Sequence, residues 1–267
     1  MSRFVSFLTL GLFFVSMLSG LIVVFAYHPS AAFASVQKIN FLIPYGEFFR
    51  KLHYFSSEIF TISLLMHILL ELSKSRIKIT NKSWIYSILG FASVVILMFS
   101  GFVLKADLSA NGAAEVAFNL IKNTPVLNSF LSLFKDNTVF YYKFFIWHIL
   151  FLPLMLGYAI YRHIDTLYVK TEYLSIAFGI TVLAIVSLNM PSDINLNEKA
   201  TTLSSPWFFQ GAENMLLKSL SPLSVNLILF IPFAFLFLYI FTSYRLLIKT
   251  LLILWLLFYA YISVFGL

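Results

Sequence analysis

Seven stretches of this 267-residue chain are each about as long and as apolar as a bilayer-crossing helix requires, roughly 20 residues. They cover 4–27, 52–73, 83–104, 139–163, 172–190, 223–243 and 247–266. A backbone in lipid must satisfy its own hydrogen bonds, so runs of this length specify helices and not open sheet. The expected fold is therefore all-α and integral to a membrane, with about seven transmembrane helices. Only Ser243-Tyr244-Arg245 separates the last two runs. One helix spanning both would overrun any bilayer, so two spans are expected. The first run precedes Ala32-Phe33-Ala34, in the manner of a secretory signal with a small-residue cleavage site. Its apolar length exceeds the usual 7–15 residues of such signals, so a retained helix is expected.

The chain is 60% hydrophobic and 11% charged, with a formal net charge of +7. That charge does not read as a nucleic-acid surface, because it follows the membrane topology. With the N-terminus inside, the short inside segments hold Arg3, Lys74, Arg76, Lys78, Lys82, Arg162, Lys170, Arg245 and Lys249 against three acids. The outside segments hold nine cations against eight acids. This is a positive-inside pattern, with the N-terminus inside and the C-terminus outside. The chain has no cysteine, which excludes disulfides, thiolate-held iron–sulfur clusters and thioether-linked haem on this polypeptide.

Four of the five histidines fall in the apolar runs as two pairs, His53 with His67 and His148 with His163. The spacings are 14 and 15 residues, close to four turns, or about 21–22 Å along a helix axis. The second and fourth helices run in the same direction, so His53 meets the depth of His148, and His67 that of His163. Two imidazoles at each of two depths suit two stacked, noncovalent, bis-histidine b-type haems, with all four histidines as iron ligands. Such haems have no open axial site and serve electron transfer. A lone intramembrane histidine is as readily a core residue bonded to a carbonyl; the joint spacing and direction favour ligation. Gly20 and Gly101 stand where a macrocycle could approach the backbone, and Ser6 and Ser87 precede them by 14 residues on the same faces. Ordinary packing of small residues is the competing account. Arg50 and Lys143, shortly before His53 and His148, are placed to pair with haem propionates or to anchor at the interface. His28, beside Pro29, reads as interfacial.

With these residues in view, the chain resembles cytochrome b of the quinol-oxidising bc-type complexes. The resemblance is carried by Ser19-Gly20-Leu21 through Tyr27, by Gly46 to His53 with Arg50, and by Trp84 and Gly101-Phe102-Val103-Leu104. It continues through Lys143 to His148, Pro153 and His163, and reaches the Trp207 loop. The 15-residue spacing and Pro153 point to the chloroplast-type branch, whose four-helix haem-binding half and three-helix subunit are separate chains. Here the two would be fused: a di-haem four-helix bundle over 1–166 and three further helices, with the quinol-site loop, over 167–267.

The resemblance implies a di-haem subunit of a quinol:cytochrome c oxidoreductase, oxidising quinol outside and passing electrons across the membrane. It implies the quinone pool and a Rieske-type iron–sulfur or cytochrome c subunit as partners, within a homodimeric complex. Two long outside segments, 105–138 and 191–222, would frame the quinol site. The family's Pro-Glu-Trp-Tyr tetrad is replaced by Ser205-Pro206-Trp207-Phe208, which has no carboxylate. Pro206, Trp207 and Phe208 remain as the pocket wall. Glu213 could accept the quinol proton if a helix starts near Trp207; Asp107 is the other candidate. Lys105-Ala106 replaces the Pro-Trp of a neighbouring family segment. The shortened loop after His163 leaves Arg162, Asp165 and Lys170 as the polar groups of any inner quinone site, with a solvated loop as their alternative. Two other readings stay open: a di-haem membrane anchor linking a peripheral dehydrogenase or hydrogenase to the quinone pool, and a seven-helix transporter or sensor using histidines as proton relays.

Overall fold

The computed structural model describes residues 2–72, 81–124, 128, 139–164, 168–195, 205–242 and 244–266. The division expected at 166/167 lies outside these residues, as do Lys74, Arg76, Lys78, Asp165 and parts of both long segments, 125–127, 129–138 and 196–204.

The described residues form ten helices. They are α1 (Ser2–Val24), α2 (Ala32–Phe41), α3 (Gly46–Leu72), α4 (Asn81–Leu104) and α5 (Leu108–Lys122). After these come α6 (Phe140–His163), α7 (Thr171–Ser187), α8 (Trp207–Leu217), α9 (Pro222–Phe241) and α10 (Arg245–Phe265). Six of them, α1, α3, α4, α6, α9 and α10, are long and apolar enough to cross a membrane. The fifth expected span appears as α7, an apolar helix of 17 residues. At 1.5 Å per residue it is about 25 Å long, a little short of a hydrocarbon core of about 30 Å. The last two expected spans are separate helices. Thr242 is extended, and its hydroxyl accepts the N–H of Tyr244 at 3.1 Å.

The chain divides into two compact units, residues 1–98 with 149–192 and residues 99–148 with 193–267. In the first, α1 packs against α3 and α7 around Leu12, Phe13, Val15, Leu52, Phe60, Val94, Leu156 and Ala177. Lipid offers no hydrophobic drive between helices, so close packing and interhelical hydrogen bonds hold them together. Gly11 supplies the first: a Cβ there would lie 2.8 Å from the Tyr173 carbonyl oxygen. Hydroxyl pairs supply the second, Thr9 with Ser63 at 2.6 Å and Ser16 with Ser57 at 2.8 Å.

The second unit packs Leu120, Ala212, Met215, Val225 and Ile262 together. Asn226 of α9 donates to the Leu120 carbonyl at 2.7 Å, answering an orphan acceptor in the last turn of α5. Pro232 lies inside α9 and has no N–H for the carbonyl of Ile228. The indole N–H of Trp255 on α10 donates to that carbonyl at 3.0 Å. A proline defect in one helix is thus repaired by its neighbour.

Candidate functional site

His67 and His163 come together in the first unit. Their ring centres are 6.3 Å apart and their planes cross at 83°. An imidazole nitrogen binds a transition metal at about 2 Å and lies roughly 1 Å from its ring centre, so two rings sharing one atom have centres about 6 Å apart. The observed separation is the one a bis-histidine metal requires.

The second nitrogens of both rings are engaged. Nδ1 of His163 meets the hydroxyls of Ser87 at 2.7 Å and Ser83 at 3.1 Å. Those hydroxyls direct their own protons to carbonyls, Ser87 to that of Ser83 and Ser83 to that of His163. Their oxygens therefore accept from Nδ1–H, which places the lone pair of His163 on Nε2. His67 Nδ1 lies 3.2 Å from the hydroxyl of Ser6. His53, also in the first unit, bonds the Ser16 carbonyl through Nδ1 at 2.9 Å. A carbonyl only accepts, so that tautomer too leaves the Nε2 lone pair for a metal. In the second unit, Nδ1 of His148 meets the Ser100 hydroxyl at 3.0 Å. Holding one ring nitrogen to present the other is how proteins orient metal-binding imidazoles.

Gly20 and Gly101 lie against the imidazoles themselves. A Cβ on Gly20 would fall 2.8 Å from His53 Cε1, and one on Gly101 would fall 2.9 Å from His148 Cε1. The 14-residue Ser–Gly spacing on α1 and α4 thus repeats the histidine spacing: the serine bonds one imidazole and the glycine makes room for another. The 15-residue spacing on α6 has a local cause. Residues Trp147–Phe151 form a π-helical turn, and its wider winding takes up one extra residue. Four turns of α6 therefore correspond to 14 α-helical residues, as on α3. The sequence alone does not single out the π turn, Ser16, Ser83 or Ser100; the one-residue excess and nearby Pro153 are the available signals for the first.

Arg50 donates to Asn40 Oδ1 at 2.9 Å, and Lys143 is half-buried on α6. The cationic positions before His53 and His148 are thus on helices.

The second unit also holds the predicted quinol-site residues and both candidate proton acceptors, while Arg162 and Lys170 lie in the first. α8 begins at Trp207 with Pro206 as its N-cap, so the helix that Glu213 needs is present. Trp207 and Phe208 pack edge to face at 5.8 Å, and the Tyr259 hydroxyl donates to the Phe208 carbonyl at 2.7 Å. Glu213, two turns along α8, accepts a hydrogen bond from the Ser205 hydroxyl. Burial pushes its carboxyl above the usual range, while the Ser205 hydroxyl and N–H draw it back.

Asp107 is differently placed. It is fully buried and N-caps α5, one oxygen accepting from Ala110 N–H and the other from Ile194 N–H, both at 2.9 Å. Lys105 Nζ lies 2.8 Å from it. Its carboxylate joins α5 to the segment at Ile194.

Helices of membrane-spanning length and an imidazole pair at metal-sharing distance define a membrane bundle able to hold a metal between its helices. The family model described as Cytochrome b/b6/petB matches residues 3–171, and the chain belongs to the cytochrome b family, which binds b-type haem. It is similar to cytochrome b6 of Heliobacterium modesticaldum (strain ATCC 51547 / Ice1) and of Heliomicrobium gestii. Each is 24% identical over 154 residues, which cover 55% of this chain and 72% of the relative. Its fold is similar to a chain of a solved hyperthermophilic respiratory Complex III, with a TM-score of 0.70 and 16% identity, over 100% of this chain and 92% of that one.

Proposed function

We propose that the chain is the di-haem subunit of a bc-type quinol:cytochrome c oxidoreductase, oxidising quinol at the outer face while electrons cross the membrane by way of two noncovalent b haems. The observation that carries this reading is the His67–His163 pair, with ring centres 6.3 Å apart and Nδ1 of each ring hydrogen-bonded. These two would hold one haem. The assignment of His53 and His148 to the other rests on spacing, the engaged Nδ1 atoms and the family. Bound there, the haems would supply one-electron redox chemistry.

The protein's part is to orient and to move protons. Ser6, Ser83, Ser87 and the Ser16 carbonyl fix the imidazoles; Arg50 and Lys143 offer charge to propionates. Trp207 and Phe208, behind Pro206, form an aromatic wall for the quinol ring. Glu213 takes a proton from a quinol hydroxyl. The family supports a Rieske-type or cytochrome c subunit as electron acceptor, a homodimeric assembly and division into 1–166 and 167–267. Charge asymmetry supports an inside N-terminus and an outside C-terminus.

A spectroscopic redox titration of the purified complex tests the reading. Two b-type components are expected, and His67→Ala or His163→Ala should each remove one and spare the other. A single component in the unmodified protein, or a spectrum unchanged by both substitutions, would overturn it.

A further inference from the structure

The tetrad position that carries glutamate in the family is Pro206 here, and a proline side chain takes no proton. The residue just before it addresses a carboxylate on α8. Ser205 is buried, and its hydroxyl donates to Glu213 Oε1. The chain entering α8 thus turns back over the helix's second turn. The hydroxyl is the donor in this contact, and donors favour the ionised carboxylate over the protonated acid.

The surroundings supply little competing charge. Tyr259 of α10 bears on Glu213, but its hydroxyl is directed to the Phe208 carbonyl. The one titratable residue of α9 is Tyr239, which faces Arg245. On α5, Glu115 and Lys122 are both exposed. The end of α4 in this unit, residues 99–104, has no titratable side chain.

From this geometry we propose that Ser205 is a positioning residue that aims the Glu213 carboxyl and holds it in its proton-accepting, ionised form. This rests on Glu213 being the quinol's proton acceptor. The Ser205–Glu213 pair then replaces the tetrad glutamate, with the carboxylate moved onto α8 and the serine holding it in place.

Infrared titration of the carboxyl C=O band in the intact complex reads the pair directly, beside the pH profile of quinol oxidation. Glu213→Gln identifies the band by removing it. Ser205→Ala should raise the carboxyl's proton affinity about tenfold and move the acidic limb of the profile to higher pH by the same amount. Ser205→Thr, which keeps the hydroxyl, should restore both. An unmoved band and profile in Ser205→Ala, with haem spectra intact, would overturn the proposal. Should Glu213→Gln leave quinol oxidation unchanged, the acceptor role fails instead, while the band shift still reports whether Ser205 holds the carboxyl.

Discussion

Around His67 and His163, polar side chains of one helix meet hydroxyls of a neighbouring helix. Ser6, Ser83 and Ser87 face the imidazoles, while Thr9 faces Ser63 and Ser16 faces Ser57. In the second unit, polar groups gather where helices begin, end or are interrupted. Asp107 caps α5, Asn226 closes its far end, Trp255 repairs the Pro232 break, and Ser205 turns back to Glu213. The difference is instructive. Polar groups of the first kind tie side chains of different helices to one another, whereas those at helix ends and breaks satisfy backbone and side chains that regular structure leaves without partners.

The comparison can be broken most severely at the glycines beside the imidazoles. Gly101→Val or Gly20→Val puts carbon into space an imidazole now fills, and each should cost one b-type component in the optical spectrum, with the other retained. Loss of neither would detach the glycines from ligand placement. Next comes the buried ion pair of the second unit. Lys105→Ala should lower stability by about 3 kcal/mol, the lower part of the usual range because two N–H donors still serve Asp107. Asp107→Asn should destabilise the protein yet leave the pH profile of turnover in place, unlike Glu213→Gln. A shifted profile would make Asp107 a proton acceptor after all.

A smaller effect tests the helix repair. Trp255→Phe strands the Ile228 carbonyl and should cost about 1–3 kcal/mol in chemical denaturation. Pro232→Ala restores an N–H to that carbonyl, so the double substitution should recover much of the loss. Simple additivity would show that the carbonyl finds another donor. Smallest is the pH effect of Glu213, whose carboxyl burial raises above its usual range. A raised acid contributes stability below the unfolded carboxylate range and loses it as pH climbs through the folded value. The unmodified protein should therefore soften slightly over that interval, and Glu213→Gln should flatten the slope.

The sequence made the membrane helices legible because apolar length is a local property; each of the seven expected runs is a helix, with α7 shorter than expected. It also made the histidine ladder legible, because a 14-residue repeat returns to one face whatever surrounds it. Ser6, Ser87, Gly20 and Gly101 shared that repeat, so their faces were readable while their partners were not. Which serine meets which imidazole depends on how neighbouring helices are rotated and offset, and no single helix encodes that.

What the amino-acid order determined by itself was therefore the set of rods, their polar stripes and the candidate ligands, since helical period and hydrophobic length act within one segment. Only the tertiary structure decided that His67 and His163 stand at metal-sharing distance and that Asp107 joins α5 to Ile194. The physical reason is the same in each case: a hydrogen bond or metal-sharing contact needs atoms within a few ångströms, and residues far apart in sequence reach that distance only when packing fixes the helices that carry them.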